Sequence, residues 1–303
     1  MTEADCIVNT RDSLGESPLW DPVTERLFWV DINRCLIHQL DPRTGEITNW
    51  PCETEPGCLG RADNGRLVAG LRDGFYFFSP VTGEFERITD PEPGKPENRV
   101  NDGKVDRAGR FWAGTMRDPH PDEPCGALYK LEGKTALQML DGIRIPNSLC
   151  WSPDNQTLYF ADTRARVIWG FDFNLASGEL TDRRLFVDLQ GQLGRPDGAT
   201  VDTEGYLWSA EYGGGRVVRY TPDGTVDKVV NLPVANVTCP TFGGTDYKTL
   251  FITTASQGLA ESELAEQPLA GGLFACELTA PLASHAGTIP VSIANMTSMN
   301  SLD

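Results

Sequence analysis

The sequence predicts an all-β chain folded as a six-bladed β-propeller. Three observations carry that prediction. A turn-then-strand segment recurs six times, the turns carry the residues that tight strand connections need, and no long segment shows the 3.6-residue period of a helix. The six copies are DPVTERLFWVD (21–31), ADNGRLVAGL (62–71), DRAGRFWAGT (106–115), SPDNQTLYFAD (152–162), DTEGYLWSAE (202–211) and GTDYKTLFITT (244–254). Their equivalent apolar residues are Leu27, Leu67, Phe111, Leu158, Leu207 and Leu250, spaced by 40, 44, 47, 49 and 43 residues. Periods of this length belong to solenoids and propellers.

Each copy is followed by a second strand and often a second turn: CLIHQLDPRTGE (35–46), GFYFFSPVTGE (74–84), ALYKLEGKT (127–135), VIWGFDFNLASGE (167–179), VVRYTPDGT (217–225) and GLFACEL (272–278). Gly, Pro, Asp and Asn fill the turns because they supply positive φ, a fixed φ or a local side-chain hydrogen bond. Val, Ile, Phe, Tyr, Trp and Thr fill the strands, where their bulk packs on a pleated face. About four short strands per repeat complete a blade. A blade cannot bury its faces alone, so residues 1–303 read as one propeller domain. A first strand near Cys6–Asn9 is expected to pair into the last blade and close the ring. The tail from about 284 to 303, rich in Ser, Thr, Met and Asn, has no repeat match and is expected to be partly disordered.

Composition narrows the partners. The 303 residues carry 26 Lys+Arg against 43 Asp+Glu, a formal net charge of -17. Nucleic-acid binding needs a basic footprint, so that class is excluded, and an anionic membrane surface is disfavoured. The same charge suits a cation or a small neutral ligand. The start, MTEADCIVNT, is acidic with no apolar core, and no run of about 18 apolar residues occurs, so neither a signal peptide nor a membrane span is expected. The eight cysteines form no C-x-x-C pair and are expected as reduced thiols, Cys52 and Cys58 included, in a cytoplasmic protein.

The repeat register locates a candidate site. Ten or eleven residues before the apolar marker stand Glu16 in repeat one, Asn101 in repeat three, Asn147 in repeat four and Asp197 in repeat five. Repeat two offers Pro56 or Gly57, and repeat six Cys239 or Pro240. Equivalent positions on successive blades lie on a ring about the axis, so four oxygen-bearing side chains should converge at one channel mouth. Glu, Asp and Asn oxygens without His or Cys form a hard-ligand set, suited to Ca²⁺, Mg²⁺ or Mn²⁺ and acceptable to Zn²⁺. Singly, such residues are ordinary turn formers; it is their common register that points to a metal. No G-x-S-x-G, H-E-x-x-H or Walker motif appears, and the three histidines, His38, His120 and His285, fall in unrelated places and are assigned no role. The tryptophans recur within repeat strands and read as blade packing.

Glu16 in SLGESPLW, Arg99 and Asn101 in RVNDGKVD, Asn147 in IPNSLCWSPD and Asp197 in RPDGATVD, joined by AGTM (113–116) and GALYKL (126–131), resemble the senescence-marker-protein/regucalcin/gluconolactonase family from about residue 12 to 280. The resemblance implies a six-bladed propeller that hydrolyses a sugar lactone (an aldono-1,4- or 1,5-lactone) with one axial divalent metal. It implies Glu16, Asn147 and Asp197 as metal ligands, Asp197 also as general base, and Arg99 and Asn101 as holders of the sugar. Some members carry a Glu shortly after AGTM; this chain reads Met116-Arg117-Asp118-Pro119, and Asp118 is the candidate replacement. The charged, Pro-rich segment 118–125 is expected as a loop near the mouth.

Two other classes fit parts of the pattern. LFWVD (27–31) and LYFAD (158–162) resemble strands of non-catalytic receptor propellers, which belong to oxidising compartments. Propeller esterases of the paraoxonase or organophosphate-hydrolase type also ring an axial metal with Asn, Asp and Glu, but usually hold a second ion deeper in the channel.

Overall fold

The structure, a computed structural model, describes residues 2–278. Six β-sheets succeed one another along the chain, each with four antiparallel strands running from inner to outer, and one of them gains a fifth, parallel strand at its outer edge. Blade one comprises Gly15–Asp21, Arg26–Asp31, Leu36–Asp41 and Glu46–Pro51. Blades two to five repeat the pattern with innermost strands Pro56–Arg61, Asn98–Val105, Pro146–Trp151 and Arg195–Val201. In blade six the strands Val237–Gly243, Thr249–Thr254 and Leu273–Glu277 are completed by Asp5–Val8 from the start of the chain. Each innermost strand packs against those of the two neighbouring blades, and the sixth packs back on the first, which closes the ring.

The closing strand pairs antiparallel to Leu273–Glu277, with Cys6 opposite Phe274; it pairs into the last blade as expected, and runs Asp5–Val8 where the expectation was Cys6–Asn9. Unforeseen is the shorter strand before it: Thr2–Glu3 runs parallel to Val226–Asn231 of blade five, so the N-terminal segment is shared between two blades. The only α-helix among the described residues is Glu261–Glu266, in the blade-six connection. The tail expectation falls on residues outside those described.

The core lies between blades. Leu27, Leu67, Phe111, Leu158, Leu207 and Leu250, the markers of the sequence repeat, are all almost wholly buried. Three tryptophans in blades one, three and five show how large side chains are accommodated. Trp29, Trp112 and Trp208 are fully buried, and each donates its indole N–H to a buried carboxylate, Asp12, Asp106 or Asp202, at 2.9 Å. Asp106 and Asp202 stand at the turn six residues before their tryptophan, where they also accept backbone N–H groups of the turn. A guanidinium completes each pair: Arg110 on Asp106 and Arg219 on Asp202, both at 2.7 Å. In blade five one carboxylate thereby ties the turn, the strand and the next strand; in blade three Asp106 ties the turn to its strand, and Arg110 reaches on to the Leu175 carbonyl of blade four at 2.7 Å. All eight cysteines are free thiols.

Asp106→Ala is expected to cost about 3–5 kcal/mol of folding stability, because it strands a buried guanidinium and an indole N–H. Denaturant unfolding measures this; a loss below about 1 kcal/mol would show that the carboxylate does not tie the blade together.

Candidate active site

The site is built by a defect repeated in all six innermost strands. Each loses pairing register once, between Glu16 and Leu19, Pro56 and Cys58, Val100 and Gly103, Asn147 and Cys150, Pro196 and Ala199, and Val237 and Cys239. A bulge of this kind bends the strand and re-aims a side chain. Aligned on these pairings, the residues at the bulge are Glu16, Gly57, Asn101, Asn147, Asp197 and Thr238. The sequence register is therefore right for five blades. In blade six the turn between the innermost strand and the marker is longer, Phe242 pairing with Leu250, which puts Thr238 rather than Cys239 or Pro240 in the ring.

The residues next to the ring lock neighbouring blades. Ser17 Oγ accepts from the Leu59 N–H at 2.9 Å, Asp102 Oδ2 accepts from the Leu149 N–H at 3.1 Å, and the Ser148 hydroxyl donates to the Asp197 carbonyl. Thr238 donates from its hydroxyl to the Gly15 carbonyl at 2.6 Å. Ser17 and Ser148 take left-handed φ values of 50° and 56°, uncommon for residues other than glycine. At Gly57 the neighbouring blade leaves no room for a side chain: a Cβ would lie 2.4 Å from the Val100 carbonyl oxygen.

Orientation of the two carboxamides follows from their partners. The Thr163 hydroxyl spends its single proton on the Pro196 carbonyl at 2.8 Å, so it can only accept from Asn147 Nδ2, also at 2.8 Å. Asn147 must then turn Oδ1 away from Thr163. Asn101 is fixed differently: its Nδ2 donates to the Pro146 carbonyl at 2.9 Å and approaches Asn147 Oδ1 at 3.4 Å, while its Oδ1 accepts from Arg99 Nη1 at 2.8 Å. Asn101 thus offers the axis a donor, and its oxygen is taken by Arg99. Arg99 Nε also reaches Asp118 Oδ2 at 2.9 Å. Every residue singled out in the sequence lies in this one cluster.

Three carboxyl groups, Glu16, Asp102 and Asp197, share the channel, all more than nine-tenths buried. Burial pushes Glu16 up to about 8, helped by the charge on Asp102 and opposed by the Ser17 N–H. Burial, then the charges on Glu16 and Asp102, hold Asp197 well above the usual carboxylate range. Asp102 is raised by burial and lowered by Lys104. Neither Glu16 nor Asp197 makes an ion pair with any described residue. Lys104, from blade three, crosses the channel and donates from Nζ to the Ala199 carbonyl of blade five. Burial thus favours the protonated forms while the channel holds no cation; fully ionised, the three carboxylates against one ammonium would carry two net negative charges, which one dication would neutralise. The donors are oxygens only, and two are anionic, so the residues fit a hard divalent ion held by Glu16, Asn147 and Asp197. Among the described residues no three His, Cys, Asp or Glu side chains form such a group; the third donor here is a carboxamide.

Asp102, Lys104, Ser17, Ser148 and Thr163 were not picked out from the sequence. Asp102 and Lys104 stand beside Asn101 in RVNDGKV, and two-residue alternation would have set Asp102 and Lys104 on one face. The loop 118–125 is tied to blade four by Asp122 with Arg164 at 2.9 Å and to its own blade by Glu123 with Arg117. His38 is buried in blade one between Asn49 and Asp12 and stacked on Trp29, apart from this cluster.

Fold and site together define a six-bladed propeller with a buried oxygen-donor centre on its axis. The chain belongs to the SMP-30/Gluconolactonase/LRE-like family, whose profile matches residues 14–256. It is 36% identical over 278 residues to the 6-deoxy-6-sulfogluconolactonase of Pseudomonas putida, covering 91% of this chain and 95% of that one. It is also 36% identical over 290 residues to the L-arabinolactonase of Azospirillum brasilense, covering 94% and 93%. Among solved structures, a calcium-binding protein, regucalcin, from Agrobacterium tumefaciens superposes with a TM-score of 0.88 at 29% identity, over 91% of this chain and 94% of that one. No helix among the described residues is long and apolar enough to cross a membrane.

The metal-stripped protein should lose stability as pH rises from about 5 to about 8. Native Glu16 still binds its proton in that window while the unfolded chain has released it, so the unfolded state binds fewer protons and deprotonation favours it. Glu16→Gln should flatten this slope and raise the metal-free melting temperature; melting curves across pH with chelator present decide it. Lys104→Met should tighten dication binding in calorimetry while lowering the metal-free melting temperature, and weaker binding would show that Lys104 does not share the field of the carboxylates.

Proposed function

We propose that this chain catalyses metal-dependent hydrolysis of a sugar lactone, an aldono-1,4- or 1,5-lactone, to the aldonic acid. Family membership makes it a lactone-hydrolysing enzyme, and both curated relatives named above are lactonases. The observation that carries the metal-dependent form is the pair of buried carboxylates, Glu16 and Asp197, without a cationic partner. Ionising both in a closed channel costs several kcal/mol, which is why burial raises their proton affinity, and a cation that enters offsets that cost. Regucalcin of Agrobacterium tumefaciens is described as calcium-binding, which agrees with a hard dication; Ca²⁺, Mg²⁺, Mn²⁺ and Zn²⁺ all suit these donors.

Held by Glu16, Asn147 and Asp197, a dication would polarise the lactone carbonyl and acidify a bound water. Asp197 stands at the same centre and takes the proton from the attacking water at a carboxylate oxygen. The hydroxide adds to the carbonyl carbon, the ring C–O bond breaks, and the proton passes to the departing ring oxygen, which becomes the hydroxyl of the aldonic acid. Arg99, whose Nε and Nη1 are held by Asp118, the Val100 carbonyl and Asn101 Oδ1, offers its Nη2 protons to sugar oxygens. Asp118 accepts from a sugar hydroxyl. A paraoxonase-like arrangement with a second, deeper ion is disfavoured, because the Lys104 ammonium already lies in the channel.

A panel of aldono-1,4- and 1,5-lactones assayed by acid release should show turnover that chelation abolishes and a dication restores. Turnover that persists in protein shown by elemental analysis to be metal-free would overturn the mechanism. Asp197→Asn should lower kcat by about 10²–10⁴-fold with the fold retained, the range of a lost general base. A near-normal rate would place the base elsewhere.

A further inference from the structure

Four charged side chains line one side of the site, and two of them, Arg72 and Glu55, have no part in the mechanism above. Arg72 directly follows the second strand of blade two, Leu67–Leu71, and Glu55 directly precedes the first. Their backbones meet, the Arg72 N–H donating to the Glu55 carbonyl at 2.9 Å. The side chains form a two-pronged pair, Nε to Oε2 at 2.7 Å and Nη2 to Oε1 at 2.8 Å. The same Nη2 reaches Asp118 Oδ2 at 3.1 Å, and Arg99 Nε reaches that oxygen at 2.9 Å. One carboxylate oxygen of blade three is thus shared by guanidiniums from blades two and three.

This arrangement has two physical consequences. A forked guanidinium–carboxylate pair has defined geometry, so Glu55 fixes Arg72 and Arg72 fixes Asp118. With Oδ2 held by two arginines, Oδ1 takes no hydrogen bond from the described residues and is left for a substrate hydroxyl. The charges also cancel, two guanidiniums against two carboxylates. The cluster therefore offers no free positive charge to an anionic substituent, and the axial carboxylates and the net charge of -17 add repulsion.

We propose that Arg72, held by Glu55, is a positioning residue that fixes Asp118 as a hydroxyl acceptor and tunes the site to lactones whose substituents are uncharged. The proposal rests on the lactone reading above. From Asp118 the hydrogen bonds continue through Arg99 and Asn101 to Asn147, so blade two influences the centre without touching it. Arg72 acts on substrate through Asp118.

Steady-state kinetics on the metal-loaded enzyme test this, with a neutral aldonolactone and the matching lactone carrying a terminal carboxylate. Wild-type kcat/KM should favour the neutral lactone by at least about tenfold, a difference near 1.4 kcal/mol. Arg72→Met should raise KM for the neutral lactone by about tenfold with a smaller fall in kcat, and Arg72→Lys should recover part of the loss. Glu55→Gln, which releases a guanidinium charge, should shift the preference several-fold towards the carboxylated lactone. Equal wild-type use of both lactones, a preference unmoved by Glu55→Gln, or a KM unmoved by Arg72→Met in folded protein each overturns the proposal. If wild type hydrolyses no lactone, the lactone reading itself fails. Calorimetry with a neutral alditol then decides the positioning role: a Kd unchanged by Arg72→Met overturns it, and a severalfold rise supports it.

Discussion

The structure turns on the burial of like charge. Six strands reach the axis, and two of them bring a carboxylate, Glu16 and Asp197, into a channel that Asp102 also shares. Such a cluster is unfavourable by itself, and none of the described residues neutralises it fully. Lys104 offsets one charge; serine and backbone groups supply hydrogen bonds but no net charge. The two carboxyl groups that remain, held protonated by burial until a cation replaces their protons, are what give the channel its appetite for a dication. Stability and function pull against each other here, and the rest of the propeller supplies the rigidity that keeps the carboxylates from turning away.

That rigidity comes from the same features that aim the side chains. A register shift in every innermost strand directs one residue towards the axis, and the residue beside it commonly bonds to the next blade. The site is therefore not an insertion on the propeller but the place where the blades are joined. Farther out, Trp29, Trp112 and Trp208 and their buried carboxylates brace alternate blades. A change at a blade joint should consequently be felt at the centre, since no ligand has a support of its own.

Much of this was legible in the sequence because the repeat carries it. Six apolar markers gave the blade number, and counting back from them reached Glu16, Asn101, Asn147 and Asp197. The count slipped in blade six, where a longer turn before the marker displaces the register and leaves Thr238 in the ring; Thr238 uses its hydroxyl to bond Gly15 across the closure. The parallel strand Thr2–Glu3 was not legible either, since two residues carry no pattern. Arg72 and Glu55 were hidden for another reason. Their connection to Asp118 is made between blades, by side chains whose positions the repeat does not encode. Sequence register finds residues that are equivalent; it does not find pairs that are merely adjacent in space.

The most direct test of the central claim is a crystal structure of the protein soaked in Mn²⁺, with data collected for anomalous scattering. One strong peak should appear in the channel, ligated by a carboxylate oxygen of Glu16, a carboxylate oxygen of Asp197 and Oδ1 of Asn147. A peak ligated elsewhere, or an axis free of anomalous signal at saturating Mn²⁺, would contradict the account.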